Sequence, residues 1–154
     1  GPITYKQERL GRYGKEFYVY KLRSMRTDAE KFGAQWAEKD DPRVTKVGKF
    51  IRKTRIDEIP QLWNILKGDM GIIGPRPERS FFVKEFEEKY DHFVYRLAVK
   101  PGLTGWAQVN GGYEMDPGEK LVYDLEYIRN RSLLFDIKII LKTVAVLFTG
   151  DGAR

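Results

Sequence analysis

Asp57 and Glu58 stand side by side, and Arg52, Lys53 and Arg55 lie within the five residues upstream. Nineteen residues after Asp57 comes Arg76, held between Pro75 and Pro77. A carboxylate at a helix N-terminus among cations is favoured in its ionised form. An ionised carboxylate can attack phosphorus or hold a divalent metal. The same helix end and cations attract a phosphate. Carboxylate and phosphate repel one another, so the chemistry requires cations between them. The constellation to expect is an acid, a divalent metal and several arginines. Arg76 suits it, because flanking prolines restrict the backbone and a planar guanidinium matches phosphate oxygens in two-point fashion. The same residues also suit plainer roles. Acids cap helices, Thr54 and Asp57 have capping-box spacing, and Pro-Arg-Pro makes a rigid turn.

Composition narrows the chemistry. The chain of 154 residues has no cysteine and one histidine, His92. Disulfides, thiolate zinc sites and a cysteine nucleophile are excluded, and a Ser-His triad is disfavoured. Carboxylates, lysine, arginine or a bound metal remain. The net charge of +6 is uneven: residues 1–56 hold 15 Lys/Arg against 7 Asp/Glu, and residues 57–154 hold 13 against 15. The basic part suits phosphates, nucleic acid or a membrane surface, or a solvated face. No apolar run reaches the ~20 residues of a membrane span.

The elements that must position these residues follow from periodicity. Residues 3–8 and 17–22 read as strands around "GRYGK", a hairpin. Residues 27–38 read as a helix with a capping box from Thr27 to Glu30. After the break at "DDPR", a helix runs from Thr45 to about Lys53, and another covers 57–67 and ends at Gly68. "MGIIG" (70–74) suits a short strand, and Phe82, Phe86 and Tyr90 give 78–90 helical spacing. Residues 99–112, "VKPGLTGWAQVNGG", read as a glycine-punctuated loop or extended segment. Asp116-Pro117-Gly118-Glu119 starts a helix whose stripe is Leu121, Leu125 and Ile128. Residues 133–148 form a last helix, apolar over most of its surface. The expected fold is α+β: one compact domain over 1–154, with short helices around a β-hairpin and short strands. Arg129 and Arg131 beside the last helix suit anionic headgroups; ordinary core packing of that helix is the other reading.

"KLRSM" (21–25), "DPRVTKVGKFIRKTRIDEIPQLWNILKGDMGIIGPRP" (41–77) and "VKPGLTGWAQVNGG" (99–112) together resemble the bacterial sugar transferases, the monotopic polyprenyl-phosphate phosphoglycosyl transferases. The resemblance runs in order through nearly the whole chain. It implies transfer of a sugar-1-phosphate from a UDP-sugar to a polyprenyl phosphate, commonly undecaprenyl phosphate, at the cytoplasmic face of the bacterial inner membrane. Exopolysaccharide- or capsule-type members are the nearest in character, and UDP-glucose or UDP-galactose is the implied donor. It makes Asp57 the nucleophile that carries the phosphosugar, and Glu58 a ligand of Mg²⁺. It sets Arg52 and Arg76 near the phosphates and Lys21 and Arg23 as further substrate-binding positions. If "KLRSM" is merely a half-buried strand, those two side chains alternate outward. Family members precede this region with a hydrophobic membrane segment that ends just before a Gly-Pro. Gly1-Pro2 is then either the native end of that segment or a cloning scar, and the fragment itself is expected to be soluble. Where some relatives have an arginine after "VNG", this chain has Gly112. Trp106 is read as packing rather than a sugar platform. Asp124 and Asp136 are read as mainly structural, with Asp124 within reach of the site.

Two other classes fit the basic charge: a single-strand nucleic-acid-binding module and a non-catalytic membrane-surface module. No recognised nucleic-acid motif appears, and the aromatics fall mostly at core-like spacing. Salt-sensitive binding without sugar-nucleotide turnover marks the first, and indifference to Asp57→Asn marks the second.

Overall fold

A computed structural model describes residues 3–36, 40–111 and 115–149. Alternating Phe17, Val19 and Lys21 put one face of β2 (Glu16–Leu22) inward. It pairs antiparallel with β1 (Thr4–Leu10), in register from Thr4 opposite Leu22 to Leu10 opposite Glu16. The chain reverses through Tyr13 and Gly14, both in the left-handed region at φ 61 and 79. The hairpin is as the sequence indicates.

The expected helix at 27–38 is not there. Residues 27–32 make successive turns, with the amides of Ala29, Lys31 and Gly33 donating to the carbonyls three residues back, and 34–36 belong to no regular element. Gly33 sits at φ 106 and Phe32 is left exposed, so the segment has no apolar face to bury as a helix. Glu30 does not close a capping box; it pairs with Arg79. Residues 37 and 38 lie outside the described residues.

α1 (Lys46–Lys53) starts as expected, with Thr45 Oγ1 accepting from the Gly48 amide at 2.9 Å. Gly48 lets the helix press onto Ser24, since a Cβ there would fall 1.9 Å from the Ser24 carbonyl oxygen. The single helix expected over 57–67 is split. Arg55 adopts φ 60, Ile56–Glu58 form a 3-10 turn, and α2 spans Gln61–Lys67. Pro60 has no N–H to give the Ile56 carbonyl, which accepts from Ile59 instead. Thr54 does not cap Asp57; its hydroxyl donates back to the Phe50 carbonyl. Gly68, at φ 87, ends α2.

β3 (Gly71–Ile73) pairs in parallel with β4 (Gly102–Thr104), within the stretch expected to be a loop or extended segment. That stretch continues into a short helix, α4 (Trp106–Asn110). α3 (Ser80–Lys89), α5 (Pro117–Arg129) and α6 (Leu133–Thr149) match their expectations, and Asp116 caps α5 by accepting from the Glu119 amide at 2.8 Å. A further 3-10 stretch, Phe93–Ala98, joins α3 to β4.

Two apolar clusters hold these parts. Phe82, Val83, Phe86, Phe93 and Leu121 form one, against which Trp36 packs; Phe17, Val19 and Met70 form the other. The result is an α+β domain of short helices around a hairpin. Among the described residues no helix is long and apolar enough to cross a membrane.

Candidate active site

The acidic turn is built from its neighbours outward. α2 is fastened to the edge of β2 by Asn64, which is fully buried. Its Nδ2 donates to the Tyr18 carbonyl at 2.6 Å and its Oδ1 accepts from the Tyr20 amide at 3.1 Å. This side chain does for β2 what a third strand would do, and so sets the turn before α2 against the strand that carries Lys21. Lys21 follows Phe17 and Val19 onto the inner face rather than alternating outward, and its ammonium stands 3.9 Å from Asp57 Oδ2.

Asp57 is only 4 % exposed. It is not sealed, however: it lines a cavity of about 140 Å³ together with Lys21, Arg52 and Arg76. Arg52 is steadied by its Nε donating to Ser24 Oγ at 2.7 Å. Arg23 does not line that cavity; its guanidinium lies over the Tyr5 ring, 5.3 Å from the centroid, and Tyr5 does line it. The structure therefore brings Lys21, Arg52, Asp57, Glu58 and Arg76 together and places Arg23 one ring away.

Glu58 is saturated. Arg55 donates to its Oε2 from Nε at 3.0 Å and Nη2 at 2.7 Å, and Arg76 Nη1 donates to its Oε1 at 3.0 Å. Those guanidiniums hold its carboxyl far below the usual carboxylate range against the cost of burial. Asp57 behaves differently from the expectation of a readily ionised acid. Burial raises its pKa, with Lys21, Arg76 and Arg52 pulling the other way and Glu58 adding to the rise. Burial also lowers Lys21 to about 7.

The Pro-Arg-Pro segment is gripped by its carbonyls. Arg96 Nη2 donates to the Arg76 carbonyl at 2.6 Å, and Arg9 Nη1 to that of Pro77 at 2.8 Å. Arg96 is itself fixed by Asp124, Nε to Oδ2 at 3.0 Å, inside the protein. Arg9 and Arg96 were not singled out by sequence reasoning, and Arg55 was read only as one of the cations flanking the acidic pair. Arg96 lies on an irregular connection far from its partners in sequence and gave no local signal. Asp124 did give one: it interrupts the apolar stripe of Leu121, Leu125 and Ile128 at helical spacing. Asp124 lines the cavity, whereas Asp136 accepts from the Tyr127 hydroxyl at 2.8 Å outside it. Trp106 packs edge-on against Phe135 at 4.9 Å and donates to Glu126, as a packing residue does. Gly112 lies outside the described residues.

The metal expectation can be tested on these groups. Among the described residues there is no cluster of three or more His, Cys, Asp or Glu side chains able to hold an ion. Glu58, the expected ligand, has both oxygens engaged by guanidiniums. Asp57 is the carboxylate left to offer an oxygen. Mg²⁺ is commonly held by one or two carboxylates with the rest of its shell from substrate phosphates and water, so the site fits it in that form.

A buried carboxylate ringed by lysine and arginine, at the wall of a cavity, defines a site that brings an anionic group against an acid. The chain belongs to the bacterial sugar transferase family, whose profile matches residues 1–150. It is 48 % identical over its whole length to the UDP-N-acetylgalactosamine-undecaprenyl-phosphate N-acetylgalactosaminephosphotransferase of Aeromonas hydrophila, covering 37 % of that protein. It is 44 % identical over its whole length to galactosyl transferase CpsE of Streptococcus agalactiae, covering 36 % of it. With the UDP-glucose:undecaprenyl-phosphate glucose-1-phosphate transferase of Escherichia coli it shares 44 % identity over 99 % of this chain and 34 % of that one. The chain thus spans about a third of the length of these relatives.

Proposed function

We propose that this domain transfers a sugar-1-phosphate from a UDP-sugar to undecaprenyl phosphate, the first step of a surface glycan, through a phosphosugar carried on Asp57. The observation that carries the reading is Asp57 at the cavity wall, with Lys21 at 3.9 Å and Arg52 and Arg76 lining the same cavity. The names of the Aeromonas and Escherichia relatives support the donor and acceptor classes.

In the first half-reaction an Asp57 oxygen attacks the β-phosphorus of the UDP-sugar. The bond from that phosphorus to the bridging oxygen breaks, and UMP leaves with the electron pair. In the second, a phosphate oxygen of the polyprenyl phosphate attacks the same phosphorus. The acyl-phosphate bond breaks, Asp57 is restored as carboxylate and the polyprenyl diphosphosugar is released. Splitting one displacement into two predicts ping-pong kinetics. Lys21 supports the ionised form of Asp57, and Arg52 and Arg76 offset the charge of the phosphate oxygens. Asp57 would hold Mg²⁺ jointly with the diphosphate, and the ion would supply charge neutralisation to the leaving UMP.

The acceptor side is apolar. Ile56 and Ile59 flank the acidic pair and are 37 % and 55 % exposed, and Phe50, Leu62, Trp63 and Leu66 are exposed on α1 and α2. On α1 exposed Val47 and Phe50 are interleaved with Lys46, Lys49 and Lys53, the pattern of a helix lying in an anionic lipid surface. This favours α1 and α2, alongside α6, as the membrane-facing part. We assign no nucleic-acid partner, because the cations converge on one cavity instead of tracking a groove.

The test is UMP release from UDP-glucose, UDP-galactose and UDP-N-acetylgalactosamine by the full-length protein, with and without undecaprenyl phosphate. Turnover with at least one donor that is abolished by Asp57→Asn and by a chelator is expected. A phosphosugar mass on wild-type protein, absent from Asp57→Asn, is expected after donor alone. Failure to turn over any of the three, or full activity in Asp57→Asn, overturns the reading.

A further inference from the structure

Arg55 has no part in the scheme above, yet it is tightly constrained beside Asp57. Its backbone is left-handed, at φ 60 and ψ 17, a region that side-chain-bearing residues rarely occupy. Its guanidinium makes four hydrogen bonds in three directions: two to Glu58 Oε2, one to the Leu103 carbonyl on β4 at 2.8 Å, and one to Gln108 Oε1 on α4 at 3.3 Å. It also lines the cavity. A residue held in an unfavourable backbone state by that many contacts has been over-determined by its surroundings, which is where functional constraint concentrates.

The division of Glu58 shows what the constraint accomplishes. One carboxylate serves two guanidiniums, Arg55 on Oε2 and Arg76 on Oε1. A carboxylate that faced Arg76 alone could take it in bidentate fashion, neutralise it and use up its fork. With Arg55 occupying Oε2, Arg76 spends a single N–H on Glu58, and the trio keeps a net positive charge at the cavity. Fixing Arg55 to β4 and α4 keeps that division from relaxing.

We infer that Arg55 is a positioning residue for substrate phosphate: it claims one oxygen of Glu58 so that Arg76 remains charged and partly unengaged toward the diphosphate of the donor. The inference rests on the proposed function for what Arg76 meets, but concerns a residue that does not itself touch substrate.

The test uses the full-length protein and three variants. Arg55→Gly removes the guanidinium and suits the left-handed backbone, so it separates the side chain's role from backbone strain. The expected result is a rise in KM for the UDP-sugar on the order of tenfold, one charge-assisted contact's worth, together with a lower thermal midpoint, because Glu58 Oε2 and the Leu103 carbonyl lose their donor. Arg55→Lys, which keeps a cation by Glu58 without the Leu103 contact, should recover most of the affinity. In a Glu58→Gln background, where no carboxylate competes for Arg76, adding Arg55→Gly should leave donor affinity, read by calorimetric titration, unchanged. A KM within twofold of wild type, a fall in kcat alone, or an equal loss of affinity in the Glu58→Gln background overturns the inference. If Arg55→Gly does not fold, Arg55→Asn, which tolerates the same backbone, is read by the same criteria. An inactive wild type against all donors would instead strike the proposed function.

Discussion

Lys21 shows why single residues resist sequence reading. Its place in a strand was legible, but alternation alone could not say which face was buried, because a lysine on the inner face breaks the usual pattern. The structure puts it opposite Asp57, at 3.9 Å, where burial brings it to about 7. Two outcomes follow. The free enzyme loses the Lys21 charge as pH rises through about 7, so kcat/KM should fall along a basic limb near that value, and Lys21→Arg should move the limb upward because a guanidinium stays charged. Pre-steady-state pH profiles of UMP release check this. Stability has the opposite slope. The folded pKa lies below the ordinary lysine value of 10.5, so between about 7 and 10.5 the unfolded chain binds more protons and stability rises with pH. From pH 7 to pH 10 wild type should therefore gain stability relative to Lys21→Met, which loses activity throughout. The neighbouring acids were legible as a pair, but not their division of labour. Which carboxylate is engaged by guanidiniums depends on Arg55 and Arg76 arriving from either side, and only the folded chain brings them there.

At the scale of elements, what was legible had a local cause. Thr45 and Asp116 cap their helices by contacts three residues away, and Gly68 ends α2 with its own backbone. What failed had a distant one. Residues 27–36 carry a helical signature, but their partners are Arg79 for Glu30 and the α3 aromatics for Trp36, which hold the segment as turns. α4 lies between two glycines and is short enough that only packing against α5 and α6 sustains it. β3 and β4 read as isolated fragments because parallel partners are not sequence neighbours. Asn64 is the element-scale contact with the largest expected consequence. Asn64→Ala leaves the Tyr18 carbonyl and Tyr20 amide unpaired in the interior and opens a void, at a cost of about 2–4 kcal/mol. Denaturant titration should show that loss, and kcat should drop as α2 and its acidic turn loosen from β2. Gly48→Ala should do comparable damage by pushing α1, and with it Arg52, off Ser24, read as a lower thermal midpoint and a weaker donor affinity.

Across the whole molecule, polar and apolar ends meet at the acidic turn. Cations from β1, β2, α1 and the Pro-Arg-Pro segment face the cavity, while Ile56, Ile59 and Trp63 face out beside it. The double substitution Trp63→Ser with Leu66→Ser should weaken binding to anionic vesicles and slow the acceptor half-reaction. The burst of UMP from the donor half-reaction should stay intact; rapid-quench assays on vesicles separate the two. Basic charge in the first third and an acidic pair at its border were plain in the sequence, but their convergence was not, since the cavity takes residues from Tyr5 to Asp124. That breadth bears on synthesis. Arg96 holds the Arg76 carbonyl only while Asp124 holds Arg96. A growing polypeptide that has emerged only as far as residue 111 already has Arg76 against Glu58, but lacks the Asp124 carboxylate that fixes Arg96 on the Arg76 carbonyl. Ribosome-stalled chains of that length should turn over sugar nucleotide more slowly than chains from which α5 has cleared the exit tunnel.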